Sequence, residues 1–381
     1  MTMKIPKICF ITGSRAEFGI LSPIMRRISE TVGKDSIQII ATNMHLSPRY
    51  GMTVKEIEAE GFAVNAKVEM LLDADTPSAT VKSMGIESIG IADSLERLKP
   101  DVAVILGDRY EMLAAASAAL IFRVPIIHLH GGETTLGAYD NAIRHAITQL
   151  SSVHLTSTEE YRDKVIAMGM DPATVFCIGS PAADTISQFT PLPLDEIEKS
   201  IGFKLGERFL VATFHPVTLQ HGDEERQTKE FLSALDLLAP DIRLLFTLPN
   251  SDTGGETVRR MIQQWCADRP EKALAVASLG ARRYYSAVAH SSGVVGNSSS
   301  GLIEAPSLGV PTLNIGDRQK GRARGESVID CECDAEAISR GLKRLMSDQM
   351  REIALRRPNP YFKPGTIDRA AGIIIETAKS L

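Results

Sequence analysis

Short apolar runs rich in β-branched residues recur along the chain, and longer amphipathic stretches separate them. Ile8–Ile11, Ile37–Ile40, Val102–Leu106 and Val124–Ile127 read as buried strands. The segments 17–31, 77–98, 110–121 and 139–150 read as helices, the last because Ile143, Ala146, Ile147 and Leu150 follow helical spacing. Strands alternating with helices predict a parallel sheet covered on both faces. The rhythm falters at Ser187–Pro193, where prolines and polar residues suit a linker. It resumes with Phe209–Thr213, Leu244–Thr247, Gly293–Val295 and Thr312–Ile315. The pattern therefore predicts an α/β chain of two Rossmann-type domains with parallel sheets, residues 1–187 and 188–360, facing a cleft. Ligands of such sheets bind beyond the carboxyl ends of the strands.

Composition narrows the partners. At 381 residues the chain suits two domains rather than one core. Its net charge of −5 argues against general nucleic-acid binding. No apolar stretch reaches the roughly 18–20 residues of a membrane span. Met1–Pro6 runs straight into a strand rather than into a signal peptide. Cys9, Cys177, Cys266, Cys331 and Cys333 are odd in number and form no CxxC pair, which disfavours a disulfide scaffold or a zinc site. A cytoplasmic protein that binds neither nucleic acid nor membrane is expected.

The chemistry gathers where strands end. Gly296-Asn297-Ser298-Ser299-Ser300-Gly301 lies between the run Gly293–Val295 and the helix-like stretch 302–306. A glycine turn that ends a strand and opens a helix offers unpaired N–H groups and a positive dipole end, which favour phosphate. Leu302-Ile303 stand where a Walker loop needs Lys-Ser/Thr, so ATP bound in that manner is not expected. No G-x-G-x-x-G follows any strand, which disfavours a dinucleotide. Arg15, in Gly13–Gly19, is a phosphate fork or a solvated arginine of an ordinary turn. Asp108 and Arg109 are a structural pair with Asp108 as a helix cap, or catalytic groups at the sheet edge.

His128 and His130 are expected on one strand face. A metal site lacks a third spaced ligand, leaving a buried hydrogen-bonded histidine or acid–base chemistry. Glu133 is a strut for the glycine loop or a catalytic acid. Asp140 is an N-cap spaced i,i+4 from Arg144, or a catalytic group. His215, before Pro216, is expected to turn its ring toward a ligand. Asn250 and Asp252 are turn residues or sugar and base contacts. Glu304 is a first-turn carboxylate or a ribose ligand.

Several blocks in order carry a resemblance. They are Thr12–Glu17, Met44-His45, Leu106–Glu111, His128–Glu133, Asp140, Arg144–Thr148, Phe214–Pro216, Gly296–Gly301 with Glu304–Pro306, and Gly316–Arg322. With these the chain resembles, along nearly its whole length, the hydrolysing UDP-N-acetylglucosamine 2-epimerases of sialic acid biosynthesis. The resemblance implies a GT-B-like fold and a C-terminal segment, 361–381, whose helix packs back on the first domain. It implies UDP on the second domain, with phosphates at Ser298, Ser299, Ser300 and Gly301 and ribose at Glu304. Arg15 and His215 would reach the phosphates, and His45, Arg109, Arg144, His145, Asn250, Asn297 and Arg318 would complete the substrate-binding set.

A base would remove the C2 proton as UDP departs, water would add at C1, and a proton would return to the opposite face of C2. N-acetylmannosamine and UDP would result, without metal or cofactor. Asp108 and Asp140 match two acidic positions of the family, while His130 stands where several relatives carry a carboxylate. Either His130 takes that role or Glu133 supplies the carboxylate, and His215 assists the leaving diphosphate. The same likeness implies a homodimer or homotetramer. UDP-N,N′-diacetylbacillosamine as substrate, a non-hydrolysing epimerase, a GT-B glycosyltransferase and a UDP-sugar sensor are the competing readings.

Overall fold

The computed structural model describes residues 5–74, 76–220, 222–250, 252 and 254–380. Thirteen strands form two all-parallel sheets among the described residues. The first sheet holds β1 (Ile8–Thr12), β2 (Ile37–Thr42), β3 (Ala66–Val68), β4 (Val102–Leu106), β5 (Ile126–Leu129), β6 (Val153–Thr156) and β7 (Val175–Cys177). Its order is β3-β2-β1-β4-β5-β6-β7. The second holds β8 (Phe209–Thr213), β9 (Arg243–Thr247), β10 (Ala273–Val276), β11 (Gly293–Gly296), β12 (Thr312–Ile315) and β13 (Val328–Cys331), in the order β10-β9-β8-β11-β12-β13. Both sheets reverse their winding between the first and fourth strands, at β1/β4 and at β8/β11. A doubly wound sheet opens a ligand crevice at that point.

The strands are apolar on both sides because helices cover both faces. In the first sheet Phe10 and Val104 bury against helix Arg15–Val32 and the C-terminal helix Thr366–Lys379. Cys9 and Ile105 face helices Pro77–Leu98 and Tyr110–Ile121. The second sheet repeats this with Leu210 and Phe246 on one face and Val211 and Leu245 on the other. The C-terminal helix lies along helix Arg15–Val32, with Arg27 Nε 2.7 Å from Asp368.

By contact the chain divides into two units. One comprises Met1–Glu133, Asp140–Thr185 and Tyr361–Leu381; the other comprises Thr134–Tyr139 and Ile186–Pro360. Residues 188–193 form neither helix nor strand. The strand expected at 124–127 begins two residues later, at Ile126, because Pro125 has no N–H for a ladder.

Candidate active site

In the first unit, the turns after β1, β4 and β5 bring one charged cluster together. Arg144, on helix Asp140–Leu150, is 1% exposed and reaches three partners. It is ion-paired with Asp108, donates to His130 O at 2.9 Å, and lies 3.5 Å from Glu133 Oε2. Glu133 is fully buried, and its Oε1 also accepts from Ser157 Oγ at 2.7 Å and sits 3.0 Å from His130 Nδ1. A buried carboxylate needs such partners to remain charged.

The backbone of His130 has φ +63°, a conformation that costs a non-glycine residue energy and is kept where surrounding contacts enforce it. His130 thus lies past the end of β5 and does not share a strand face with His128 as expected. The carboxylate at Nδ1 orients the ring and leaves Nε2 on its outer side. That nitrogen is buried and meets no hydrogen-bond partner among the described residues. Asp140 opens the helix that carries Arg144 and is 8% exposed.

His128 supports this cluster from below. Its Nε2 meets Gly107 O at 2.8 Å and its Nδ1 meets Thr148 Oγ1 at 3.2 Å, so both nitrogens are used. Burial lowers its pKa to about 3, so it stays neutral and pins the turn that carries Asp108. The glycines of His130-Gly131-Gly132 are there for close packing: a Cβ on Gly132 would lie 2.5 Å from Tyr161 O. Asp108 does not cap the following helix, since helix Tyr110–Ile121 starts from Arg109 with no side-chain cap.

The turn after β1 is held by a capping box. Glu17 Oε2 accepts from Gly13 N at 2.7 Å and Ser14 N at 3.2 Å, while Ser14 Oγ accepts from Glu17 N at 3.3 Å. This leaves Arg15 half-buried at the first position of helix Arg15–Val32. Arg109 turns to Glu111 at 2.6 Å, with Glu17 3.9 Å away. Burial, reinforced by the negative charge of Glu111, pushes the Glu17 carboxyl up to about 8, and burial raises Glu87 as well. His45 is fully buried between Thr12 Oγ1 at 3.1 Å and Thr53 Oγ1 at 2.8 Å. Internal partners occupy the His45 nitrogens and the Arg109 Nε, so both side chains help hold these turns. His145 is half-buried, and desolvation lowers its pKa to about 4.

In the second unit, the switch point joins the turns after β8 and β11. Gly296 has φ +134°, and a Cβ there would lie 1.9 Å from Thr213 O. Only glycine permits this approach. Asn297 follows, fully buried, and clamps the His215 backbone: its Oδ1 accepts from His215 N at 2.7 Å and its Nδ2 donates to His215 O at 2.8 Å. The Asn297 amide thus holds the His215 backbone in place. Asn297 O accepts from Arg318 Nη1 at 3.2 Å and Gln319 Nε2 at 2.9 Å. Arg318 also lies 3.8 Å from Asp252, which is buried.

The serine turn offers donors of two kinds. Ser298, Ser299 and Ser300 are half-buried, and the Ser298 and Ser299 amides meet no backbone carbonyl among the described residues. Ser300 Oγ is held by Tyr284 Oη at 2.7 Å. The Gly301 amide bonds Ser298 O at 3.2 Å, and a Cβ at Gly301 would meet Thr312 Cγ2 at 2.6 Å, so this glycine serves packing. The expected helix is two separate turns, Ser300–Ile303 and Ala305–Leu308, with the half-buried Glu304 between. Pro306 supplies no N–H to continue the ladder. The local amides and hydroxyls, rather than a long macrodipole, are what an anion would meet here. Asn250 is half-buried after β9, and its neighbours Ser251 and Thr253 lie outside the described residues.

Sequence reasoning gave Glu17, Glu111 and Gln319 only as members of the resembling blocks, with no role of their own, and did not single out Glu87, Ser157 or Tyr284. Only Glu17 carried a local signal, the Ser14-x-x-Glu17 spacing of a capping box. Among the described residues no group of three or more His, Cys, Asp or Glu side chains is placed to hold a metal ion.

The family described as UDP-N-acetylglucosamine 2-epimerase matches residues 30–375. The chain is 39% identical over 347 residues to a GDP/UDP-N,N′-diacetylbacillosamine 2-epimerase (hydrolyzing) of Campylobacter jejuni, covering 91% of this chain and 89% of that protein. It is 38% identical over 374 residues to polysialic acid biosynthesis protein P7 of Escherichia coli, covering 98% and 95%. The fold matches the crystal structure of Methanocaldococcus jannaschii UDP-GlcNAc 2-epimerase in complex with UDP-GlcNAc and UDP, with TM-score 0.79, 17% identity and coverage of 97% and 99%. The two parallel-sheet units are of the GT-B-like kind, and the chain belongs to the UDP-N-acetylglucosamine 2-epimerase family.

Proposed function

We propose that the protein is a hydrolysing 2-epimerase that converts a UDP-2-acetamido sugar into UDP and the free 2-epimer. The observation that carries this reading is His130: its Nδ1 is held by a buried carboxylate, and its Nε2 has no internal partner. His130 is the group that exchanges the C2 proton, and Glu133, wholly buried and bonded to Ser157, orients it. Asp108 and Asp140 are the acid–base partners for the opposite face and for water.

In the first step a base takes the C2 proton, its bonding pair forms the C1–C2 double bond, and the C1–oxygen bond breaks with its electrons leaving on UDP. In the second, water supplies hydroxyl to C1 and a proton reaches C2 from the other face. The C2 proton is weakly acidic, so cleavage of the C1–oxygen bond leads and stabilisation of the leaving diphosphate dominates the rate. In the second unit His215, Arg318 and the Ser298–Ser299 amides supply it. The relatives' names support hydrolysis over retention of UDP.

The substrate we assign is UDP-N-acetylglucosamine, giving N-acetylmannosamine for sialic acid synthesis, in line with the Escherichia coli relative. The Campylobacter jejuni relative, equally similar, favours UDP-N,N′-diacetylbacillosamine as the second reading. Parallel incubations with both sugar nucleotides, with free sugar and UDP quantified by chromatography, decide between them. Release of UDP from neither would refute the proposal.

A further inference from the structure

Helix Pro77–Leu98 of the first unit is built to be buried on one side only. Thr76 caps it, accepting from Ala79 N at 3.2 Å. Ala79, Ser83, Glu87, Ile91, Leu95 and Leu98 turn inward, and the last three pack on the sheet beside helix Tyr110–Ile121. The opposite face holds large apolar side chains in the open. Val81 is 67% exposed, Ile89 68% and Ile86 40%. The neighbouring helix Tyr110–Ile121 ends on exposed Leu120 and Ile121, and exposed Phe122 follows. Single exposed apolar residues are ordinary, but several on one face mark a surface that another molecule covers.

Two glycines interrupt the same helix after its second turn, each less favourable there than alanine. Gly90 serves the sheet, since a Cβ on it would lie 2.6 Å from Val68 Cγ1. Gly85 has no such reason: a Cβ there would meet nothing within 4 Å, and the residue is exposed beside Ile86. A missing side chain on an exposed apolar face lets a second helix come close.

The charges on this face select the occupant. Lys82 and Glu96 stand seven positions before and after Ile89, about 10 Å each way, so all three share one line along the helix. Both charges are exposed, and neither has an ion-pair partner in its own chain among the described residues. A copy of this helix laid antiparallel about a twofold axis at Ile89 brings Lys82 against Glu96 of the second copy. The same axis brings Glu96 against Lys82 of the second copy, and Ile89 meets its counterpart. A parallel copy would set like charges together. Exposed Asp93 and Glu96 on this line also oppose an anionic membrane surface.

We propose that this face of the first unit is an interface between two copies of the chain, centred on Ile89 and registered by reciprocal Lys82–Glu96 pairs. The interface does not depend on which reaction the protein performs.

The test is sedimentation velocity on the full-length protein and its variants. The parent should sediment as a dimer, or as a larger even-numbered assembly. Ile89→Asp should halve that mass, with the far-ultraviolet circular dichroism of the parent, because the exposed side chain takes no part in the core. Lys82→Glu and Glu96→Lys should each weaken association by about tenfold or more, since two attractions become two repulsions. The double variant should regain the parent's affinity to within about threefold. An equal mixture of the two single variants, one labelled with nitrogen-15, should form mainly mixed pairs in native mass spectrometry. A monomeric parent, an assembly that Ile89→Asp leaves intact, or mixed pairs no more frequent than chance would overturn the interface.

Discussion

Asn297→Ala tests how the second unit presents His215. The wild-type amide satisfies both backbone groups of His215, at 2.7 Å and 2.8 Å, and is fully buried. Truncation strands one donor and one acceptor, each worth about 1–3 kcal/mol when left dry. Water entering the space left by the amide recovers part of that, so a loss of ~3 kcal/mol in unfolding free energy is expected. The functional loss should be specific. If Asn297 acts on UDP only by holding His215, its removal weakens UDP by about tenfold or more, the worth of a charge-assisted hydrogen bond. In a His215→Ala background the same truncation should change UDP affinity less than twofold. Urea titration gives the first quantity, and calorimetry on the four proteins of the cycle gives the second. An undiminished Asn297→Ala effect without His215 would refute the clamp.

Two further predictions concern the first unit. Arg144→Met keeps the volume but leaves Asp108 and buried Glu133 without their shared cation, and should cost about 3–5 kcal/mol in urea unfolding; a loss under about 1 kcal/mol would mean the cluster does not need its arginine. Stability should also fall as pH rises from about 7.5 to about 8. Burial holds the Glu17 pKa up at about 8 against an ordinary 4.5, so over this window the folded chain keeps a proton that the unfolded chain has released. Each such group costs about 1.4 kcal/mol per pH unit. His45, His128, His145 and His154, all lowered, have the opposite sign, but their contribution fades about one pH unit above their ordinary value of 6.5. Glu17→Gln should flatten the alkaline slope, and an unaltered slope would contradict the assignment.

The central strands were legible because burial on both faces writes them as unbroken apolar runs, as in β1, β4 and β8. The peripheral ones were not. β3 and β7 have three residues each, and β6 has four with His154 and Thr156 among them, so neither length nor periodicity marks them. Turn motifs could be placed at strand ends because glycine and charge stand out after an apolar run. Their partners could not, since pairing is set by topology: Arg144 meets Asp108 across 36 positions, and Asn297 meets His215 across 82. The same limit hid Glu87, which reads as one polar position on an amphipathic helix yet is wholly buried. His45 and Asn297 stood out by residue type, and only the structure shows the turn that each of them holds.

The most direct test of elimination followed by hydration is turnover in deuterated water with UDP-N-acetylglucosamine and, in parallel, its diacetamido counterpart. The account predicts free UDP and a 2-epimeric sugar carrying one deuterium at C2, seen by mass spectrometry and proton NMR. A released epimer with its original C2 hydrogen, or a product still joined to UDP, would contradict it.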